Sequence, residues 1–286
     1  MYILGNSSKN DMRRTFEEIL QSNEIDIKEE YSRLYRLFYG TDPVYANRDM
    51  SFYRCMADHF MSFRFRDTCL SLTDFNSVHG FDFQENPKNI DTDYLVSFME
   101  YLYNFAMDSA CNKFGYFFKS GHTLDQYRQQ IESLADKIGY DKTSHDGIFV
   151  FFPFDAVANE VVMNQDISDA DSYRIITYHH HLNKGNLDEK KHTLKVLADL
   201  LEPKEKDLKT VNDSLRKNLF FCFNNLNIRH NNLDKNDAGN YKQWLDEMSD
   251  GELERYYDIT YHMALHAFMS LEYLEEKKEI EELMRK

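Results

Sequence analysis

A stripe of apolar residues between positions 208 and 226 constrains the fold of this chain more than any other feature of its sequence. Apolar side chains recur there at intervals of three and four residues, the spacing of one face of an α-helix. They are Leu208, Val211, Leu215, Leu219, Cys222 and Leu226. The next position in the series is Arg229, and Asn225 lies on the same side. The pattern predicts a helix whose end directs an amide and a guanidinium towards the interior.

The polar residues at the end of this helix allow two interpretations. A charged group that leaves water is unfavourable unless it is paired. Arg229 and the neighbouring asparagines could therefore form a satisfied hydrogen-bond network that fixes the helix packing. Alternatively, Arg229 and His230 could lie at a cleft and act on a ligand. The residues alone leave both interpretations open.

Periodic patterns along most of the chain predict a mainly α-helical protein. The 286 residues include only 10 Gly and 4 Pro but 22 Phe and 19 Tyr, which suits long helices with aromatic packing. Helices are predicted at residues 12–20, 27–38, 52–65, 92–106, 121–138, 170–182, 188–202 and 208–229, after Pro153, and from 252 onwards. Residues 70–89 lack a helical period and are predicted to form a loop.

One segment has a β pattern instead. His145, Asp146 and Gly147 precede an aromatic and β-branched run from Ile148 to Phe152. Asp-Gly is a typical hairpin turn, so a short β-hairpin is predicted. The resulting organisation is an N-terminal helical region of unknown role at 1–120, a connector of helix and hairpin at 121–165, and a helical bundle at 166–286.

The charge of the chain limits the surfaces that it can offer to nucleic acid. A net charge of −15 argues against a nucleic-acid-binding surface spread over the whole molecule, because phosphates would meet a repulsive field. Between Lys184 and His230, however, ten Lys and Arg face seven Asp and Glu. This window has a charge of +3, which leaves −18 on the remainder, so a local basic face is compatible with the sequence.

Other sequence features exclude several classes of protein. No apolar run has the length of a signal peptide or a membrane span, so a soluble cytoplasmic protein without membrane contact is expected. The four Cys residues lie far apart and are expected to be reduced. The chain contains no Walker-type loop, no Gly-rich dinucleotide turn and no GxSxG motif, so no cofactor is predicted.

The C-terminal third contains a group of segments that occur together in one known family. These segments are Leu194–Pro203, Leu219–Phe220, Asn224–Asn225 and Ile228–Asn232, and an aromatic helix follows them. In this respect residues 166–286 resemble the HEPN domains of bacterial abortive-infection and related antiviral defence proteins. The resemblance does not extend to the first 120 residues.

The resemblance implies a HEPN-like four-helix bundle that forms a homodimer and cuts RNA without a metal ion, at a cleft between subunits. A His can accept the proton of a ribose 2′-OH or donate one to the leaving oxygen, and an Arg can neutralise phosphate charge. Arg229 and His230 are then the predicted catalytic residues. The predicted binding residues are Asn225, Asn231, Asn232 and Lys217. The implied function is a metal-independent endoribonuclease in phage defence or toxin-type growth arrest.

The chain departs from the family at this pair. The HEPN signature places His four to six residues after Arg, whereas His230 follows Arg229 directly. Side chains of consecutive helical residues point about 100° apart. Arg255 and His262 are two turns apart on one face of the last helix and are the second choice for a catalytic pair.

Two histidine patterns suggest a metal without completing a site. His179–His181 lies near His192, and His262 precedes His266 by one helical turn. Neither set has recognisable carboxylate or Cys partners in the sequence, so no metal site is predicted.

Two further functions remain open alongside ribonuclease activity. The helical region could be a non-catalytic module that keeps the HEPN-like fold and binds RNA, a protein partner or a second copy. Alternatively, the acidic surface could mimic nucleic acid and block a basic, nucleic-acid-binding partner.

Overall fold

The computed structural model of the chain describes residues 25–40, 51–108, 124–164 and 167–286. These residues are mainly α-helical with one two-stranded antiparallel hairpin, so the predicted fold class is confirmed. The predicted helix at 12–20 lies outside the described residues. Contacts between Cα atoms divide the chain into two compact units, formed by residues 1–95 with 108–138 and by residues 96–107 with 139–286. The predicted boundaries at 120 and 165 stay a prediction.

Helices occupy most of the described residues, and both strands lie near the middle of the chain. In chain order the elements are α1 (Ile27–Tyr39), α2 (Phe52–His59), α3 (Leu72–His79), α4 (Thr92–Met107), α5 (Leu124–Lys137), β1 (Tyr140–His145), β2 (Ile148–Pro153), α6 (Ala156–Asn164), α7 (Asp169–Ile176), α8 (Leu187–Leu201), α9 (Glu205–Asn225), α10 (Gln243–Asp246) and α11 (Asp250–Met284). Short 3-10 turns occupy Phe60–Ser62, His181–Asn183 and Glu202–Lys204. No helix in the described parts of the chain has the length and apolar character needed to cross a membrane.

Aromatic side chains form much of the core of the first unit. Phe38 of α1 meets Phe52 of α2 edge to face, with ring centroids 5.3 Å apart. Phe52 in turn contacts Tyr127 of α5 at 5.3 Å. Such ring pairs stabilise a core beyond their burial alone. The abundance of Phe and Tyr in the sequence is thus used in helix packing.

Helix α3 lies inside the segment that was predicted to be a loop, so that prediction is wrong. The Ser71 hydroxyl accepts a hydrogen bond from the Asp74 amide at 3.1 Å and caps the start of the helix. Gly80 ends it in the left-handed region, with φ of 71°. Only Leu72 and Phe75 are buried in this short helix. Two apolar positions were too few to show a helical period.

The hairpin of the second unit confirms the predicted β segment. Tyr140 pairs with Pro153 at one end and His145 with Ile148 at the other. The turn residues between the strands both have positive φ, as a type I′ turn requires, and they are Asp146 and Gly147. The side-chain amide of Asn104 on α4 bonds the backbone of Phe149 in both directions, each at 2.8 Å, and holds the hairpin against α4.

Helices α8, α9 and α11 share the main apolar core of the second unit. Its fully buried residues include Leu194, Leu197, Leu201, Leu208, Leu219, Phe223, Tyr257, Tyr261 and Ala264. The Tyr257 hydroxyl donates to the Leu226 carbonyl at 3.1 Å, and the Tyr261 hydroxyl donates to the Ile175 carbonyl at 2.9 Å. The buried hydroxyl groups of these two tyrosines are therefore satisfied by backbone carbonyls at the ends of α9 and α7.

Helix α9 is kinked near its middle. Asn212 has φ of −150° and ψ of 82°, and its side chain caps the next helical segment by accepting from the Leu215 amide at 3.0 Å. The kink interrupts the predicted stripe. Leu208 and Leu219 are buried, whereas Val211 and Leu215, which lie on either side of the kink, are only partly buried. An internal cap at Asn212 is typical of asparagine.

Candidate functional site

The predicted catalytic residues Arg229 and His230 lie beyond the end of α9 and not on its last turn. The helix ends at Asn225, and Asn227 adopts the left-handed conformation, with φ of 59°. The placement of Arg229 on the helical stripe was therefore wrong, because the helix ends before that position. Asparagine tolerates this backbone conformation better than most residues, so it can end a helix.

Asn232 organises the turn that follows α9. Its side chain is fully buried, and its Oδ1 accepts from the Asn227 amide at 2.8 Å. The Asn227 Oδ1 accepts in return from the Asn232 amide at 3.2 Å, and the Asn232 Nδ2 donates to the Asn240 carbonyl at 2.9 Å. These bonds satisfy a buried amide and close the turn. For Asn232 the contacts match the interpretation as a packing network.

Arg229 is held by an ion pair. Its guanidinium is 20 % exposed and pairs with the carboxylate of Glu202, in the 3-10 turn after α8. It also donates to Asn224 Oδ1 at 3.5 Å. The His230 side chain is exposed, and among the described residues no hydrogen bond or ion pair joins it to Arg229. The structure thus places the two predicted catalytic residues in one turn without bringing them into contact.

The predicted binding residues near this turn have varied surroundings. The Asn225 Nδ2 donates to the Phe221 carbonyl at 2.8 Å, within the same helix. Lys217 forms an exposed ion pair with Asp213 at 2.7 Å, one turn earlier. Asn231 is exposed. No contact among the described residues gathers these three side chains at one site.

The second predicted pair lies on the exposed face of α11. Arg255 and His262 are both exposed, and the Arg255 guanidinium lies 5.5 Å from the Tyr256 ring centroid. His262 meets another histidine, since its Nε2 lies 3.3 Å from Nε2 of His179. The two imidazole rings are 5.2 Å apart with an interplanar angle of 27°. The structure therefore adds His179 to the pair that the sequence suggested.

The early end of α7 positions His179. The predicted helix at 170–182 ends at Ile176, and a short turn follows it. Tyr178, in this turn, stacks on Tyr261 of α11 with centroids 4.0 Å apart and an angle of 4°. Both tyrosines are almost fully buried. This stack fixes the turn against α11, so the next side chain, His179, reaches His262.

A buried lysine offsets the negative charge around the histidine pair. Lys190 of α8 is buried, and its Nζ lies 2.8 Å from Glu254 and 2.7 Å from Asp258, both on α11. The hydrogen bond from Lys190 lowers the pKa of the Glu254 carboxyl below its usual range. Both carboxylates are thus engaged in ion pairs.

Burial and neighbouring charges act on His179 in opposite directions. Burial is the largest effect and lowers the pKa of this imidazole, while the Asp258 carboxylate raises it. The net shift of the pKa is downward from 6.5. The neutral form of His179 is therefore favoured at neutral pH, which is the form that can accept a proton.

Among the described residues, three side chains that could bind a metal ion lie close together. They are Glu100, His180 and His181, and their possible ligand atoms lie within 4.8 Å of one another. His180 Nε2 lies 2.7 Å from Glu100 Oε1, and His180 Nδ1 accepts from the Leu182 amide at 3.3 Å. This pattern places the ring proton on Nε2, where it is donated to Glu100. A metal-bound histidine normally donates from its second nitrogen. The contacts are those of a hydrogen-bond network between α4 and the 181–183 turn.

A cavity of about 520 Å³ lies elsewhere in the second unit. Residues of α6, of the start of α9 and of the second half of α11 line it, among them Val161, Asp207 and Phe268. Lys204 also lines it and lies 5.5 Å from the Phe268 ring centroid. None of the predicted catalytic or binding residues lines this cavity. The histidine pair is therefore separate from it.

Comparisons with known proteins do not add to this description. No family model matches the chain, and no curated protein and no solved structure matches it. The resemblance to HEPN domains stays a prediction that depends on the Arg229 region and the helices around it.

Proposed function

We propose that this protein is a HEPN-like, metal-independent endoribonuclease, acting in phage defence or toxin-type growth arrest, and that His179 and His262 carry out its acid–base chemistry. The observation that supports this proposal best is the 3.3 Å approach of their Nε2 atoms at an accessible surface of α11. Arg255, two turns before His262 on the same face, is the proposed phosphate-binding residue.

The proposed reaction uses the ribose as its own nucleophile. A neutral imidazole accepts the 2′-OH proton, the 2′-oxygen attacks phosphorus, and the bond from phosphorus to the 5′-oxygen breaks. An imidazolium donates a proton to the leaving 5′-oxygen. The products are a 2′,3′-cyclic phosphate and a 5′-hydroxyl end, and no water or metal enters this step. When the pair carries one proton on its two Nε2 atoms, one ring has an N–H that can donate and the other has a lone pair that can accept. Both become available to the RNA when the bound ribose and phosphate replace the contact between the two Nε2 atoms.

The charges beside the pair are compatible with the approach of a phosphate. Glu254 and Asp258 would repel RNA if they were unpaired, but both are bound to Lys190. Arg255 is exposed and adds a positive charge to the same face of the helix. A guanidinium can bind a phosphate through two hydrogen bonds. The local balance of charge is thus less acidic than the net charge of −15 indicates.

The test is incubation of the purified full chain with total RNA in the presence of EDTA. We expect discrete products with 2′,3′-cyclic phosphate ends. His262→Ala and His179→Ala should each lower the cleavage rate by about a hundredfold or more. His266→Ala, which removes an exposed histidine one turn further along α11, is the matched control and should cleave like the parent.

Two outcomes would change the proposal in different ways. Cleavage that survives in His262→Ala but is lost in Arg229→Ala or His230→Ala would move the site to the turn after α9. A parent protein that leaves every RNA intact, with and without EDTA, would exclude the ribonuclease function.

The second candidate function is a non-catalytic helical module that binds RNA, a protein partner or a second copy. The ion pair of Arg229 with Glu202 and the buried network of Asn232 favour it, because both tie structural elements together. In this case Arg229→Ala and Asn232→Ala lower the melting temperature, and the parent has no cleavage activity to lose. Direct binding to labelled single-stranded RNA would then separate an RNA-binding module from one that binds protein.

A further inference from the structure

The two facing nitrogens of the histidine pair have the spacing of two ligands on one metal ion. Zinc binds histidine nitrogens at about 2.0 to 2.1 Å in tetrahedral geometry, which places two such nitrogens about 3.3 to 3.4 Å apart. His179 Nε2 and His262 Nε2 are 3.3 Å apart. A hydrogen bond donated by an N–H group is usually shorter, with about 2.9 to 3.0 Å between the heavy atoms. The spacing therefore fits a shared ion at least as well as it fits a shared proton.

The orientation of the rings agrees with their spacing. The ring centroids are 5.2 Å apart, which is farther than the two Nε2 atoms, and the rings are inclined by 27°. The imidazoles therefore approach each other at their Nε2 corners, and these are the atoms that would bind the ion. His262 is exposed and His179 is partly exposed, so an ion can reach the pair from solvent.

Both histidines are held in place by the residues that precede them. Tyr178 and Tyr261 are each 1 % exposed, and their rings stack with centroids 4.0 Å apart. This stack fixes the backbone on both sides of the pair. A site that is formed before its ligand arrives binds more tightly, because less conformational freedom is lost on binding.

The charges beside His179 favour a cation. The carboxylates of Asp155 and Asp258 and the ammonium of Lys190 act on this imidazole, which leaves one negative charge in excess. Asp258 lies one helical turn before His262. Zinc is the divalent transition ion that imidazole and carboxylate surroundings commonly bind.

We propose that His179 and His262 bind a zinc ion through their Nε2 atoms and that the bound ion inhibits RNA cleavage. Among the described residues, the one group of three possible metal ligands within 4.8 Å of one another is Glu100, His180 and His181, so water would complete the coordination at the histidine pair. With two protein ligands, binding should be reversible and weaker than at structural sites with four.

Inhibition follows from the use of the same atoms. An ion on both Nε2 lone pairs leaves neither of these nitrogens to accept the 2′-OH proton or to donate one to the leaving oxygen. The ribonuclease would thus remain metal-independent, and zinc would reduce its activity. This regulatory effect rests on the proposed function, whereas zinc binding rests on the geometry of the pair alone.

The experiment is calorimetric titration of the full chain with zinc chloride, after treatment with EDTA and removal of the chelator. We expect one ion to bind at the pair, and His179→Ala and His262→Ala should each weaken this binding by at least about tenfold. His266→Ala is the matched control, because His266 is an exposed histidine one turn further along α11, and it should bind zinc like the parent. Circular dichroism checks that the variants are folded.

Three binding results would overturn the proposal. The first is a parent that binds no zinc. The second is binding that is lost in His266→Ala but kept in His179→Ala, which would assign the ion to two histidines of α11. The third is binding that is unchanged in both His179→Ala and His262→Ala but lost in Glu100→Gln, which would assign it to the other group of donors.

A cleavage assay separates the site from its effect. Zinc should inhibit RNA cleavage by the parent over the concentration range in which it binds, and EDTA should restore the rate. A parent that binds zinc at the pair but cleaves no RNA would exclude the proposed function and leave the zinc site standing. A parent that cleaves RNA equally well with zinc bound at the pair would overturn the inhibition.

Discussion

The imidazoles of His179 and His262 face each other with Nε2 atoms 3.3 Å apart, although 83 residues separate them in the chain. The contact depends on a neighbouring one, the stacking of Tyr178 on Tyr261 with ring centroids 4.0 Å apart. A neutral imidazole beside a second one can accept, hold and return a proton, which is the requirement for cleavage of RNA by its own 2′-OH. Substitutions at and around the pair can separate this chemistry from the structural role of the surrounding polar groups.

The proposed role of His179 makes a prediction about pH. Its pKa lies below 6.5, so the cleavage rate should rise with pH through that lower value, as His179 loses its proton and becomes able to act as the base. The charges around it are Asp258 and Asp155, which raise the pKa, and His262 and Lys190, which lower it. Asp258→Asn removes a charge that raises the pKa, and the acidic limb of the pH–rate profile should therefore move to lower pH.

The measurement is the single-turnover cleavage rate at a series of pH values for the parent and Asp258→Asn. A shift of the acidic limb to higher pH would contradict the assignment of His179 as the base. An identical profile in the two proteins would do so as well.

Lys190 should contribute more to stability than its neighbour Lys191. Lys190→Met leaves Glu254 and Asp258 without their shared partner, and breaking a buried ion pair costs about 3 to 5 kcal/mol. The two carboxylates are partly exposed, so we expect a loss nearer about 2 kcal/mol. Lys191→Met is the control, because Lys191 makes no ion pair with the described residues, and it should change stability by less than about 0.5 kcal/mol. Urea unfolding of the three proteins measures the difference.

The ion pair of Glu254 also predicts how stability changes with acid. Hydrogen bonding from Lys190 lowers the pKa of Glu254 below its ordinary value of 4.5. A carboxyl whose pKa is lowered by folding contributes stability that is present above 4.5 and is lost as the pH falls through the lower folded value. The melting temperature of the parent should therefore fall in this acidic range. The melting temperature of Glu254→Gln should fall less steeply with pH, because the variant lacks this carboxyl. Equal slopes for the two proteins would contradict this contribution.

Local signals in the sequence predicted the hairpin and most helices. Asp146 and Gly147 have the positive φ that a tight turn needs, and this preference belongs to the residues themselves. Helix α3 was missed because its two buried residues, Leu72 and Phe75, are too few to show a period. The capping Ser71 before it was a signal that could have been used.

The candidate site was only partly visible in the sequence. His262 was singled out on α11, but its contact with His179 depends on the packing of α7 against α11, which no local pattern encodes. Arg229 was misplaced for a related reason, since Asn227 ends the helix by taking a left-handed backbone conformation. The apolar stripe continues to Leu226, so the sequence pattern gave no sign that the helix ends at Asn225. The contact between His179 and His262 and the left-handed backbone conformation of Asn227 both depend on the tertiary structure, so local sequence patterns do not predict them.

Asn232 and Asn231 should differ sharply when each is replaced by alanine. Asn232 is buried, and its loss leaves the Asn227 amide and the Asn240 carbonyl without their side-chain partner. We expect Asn232→Ala to destabilise the protein by about 2 to 3 kcal/mol. Asn231 is exposed, so Asn231→Ala should cost less than about 0.5 kcal/mol. Similar melting temperatures for the two variants would contradict the role of Asn232 in closing the turn.

The ion pair of Arg229 with Glu202 can be measured by a double-mutant cycle. Glu202 is about half exposed, and solvent weakens the attraction, so Arg229→Ala should cost about 1 kcal/mol. Glu202→Ala should cost a similar amount, and the double variant should be less destabilised than the sum of the two, because both remove one interaction. The exposed pair of Lys217 and Asp213 provides the comparison, and its coupling should be weaker than that of Arg229 with Glu202, because solvent and salt screen an exposed ion pair. Additive effects at Arg229 and Glu202 would mean that the pair adds no stability. A stable Arg229→Ala variant that has lost RNA cleavage would instead return Arg229 to the catalytic site.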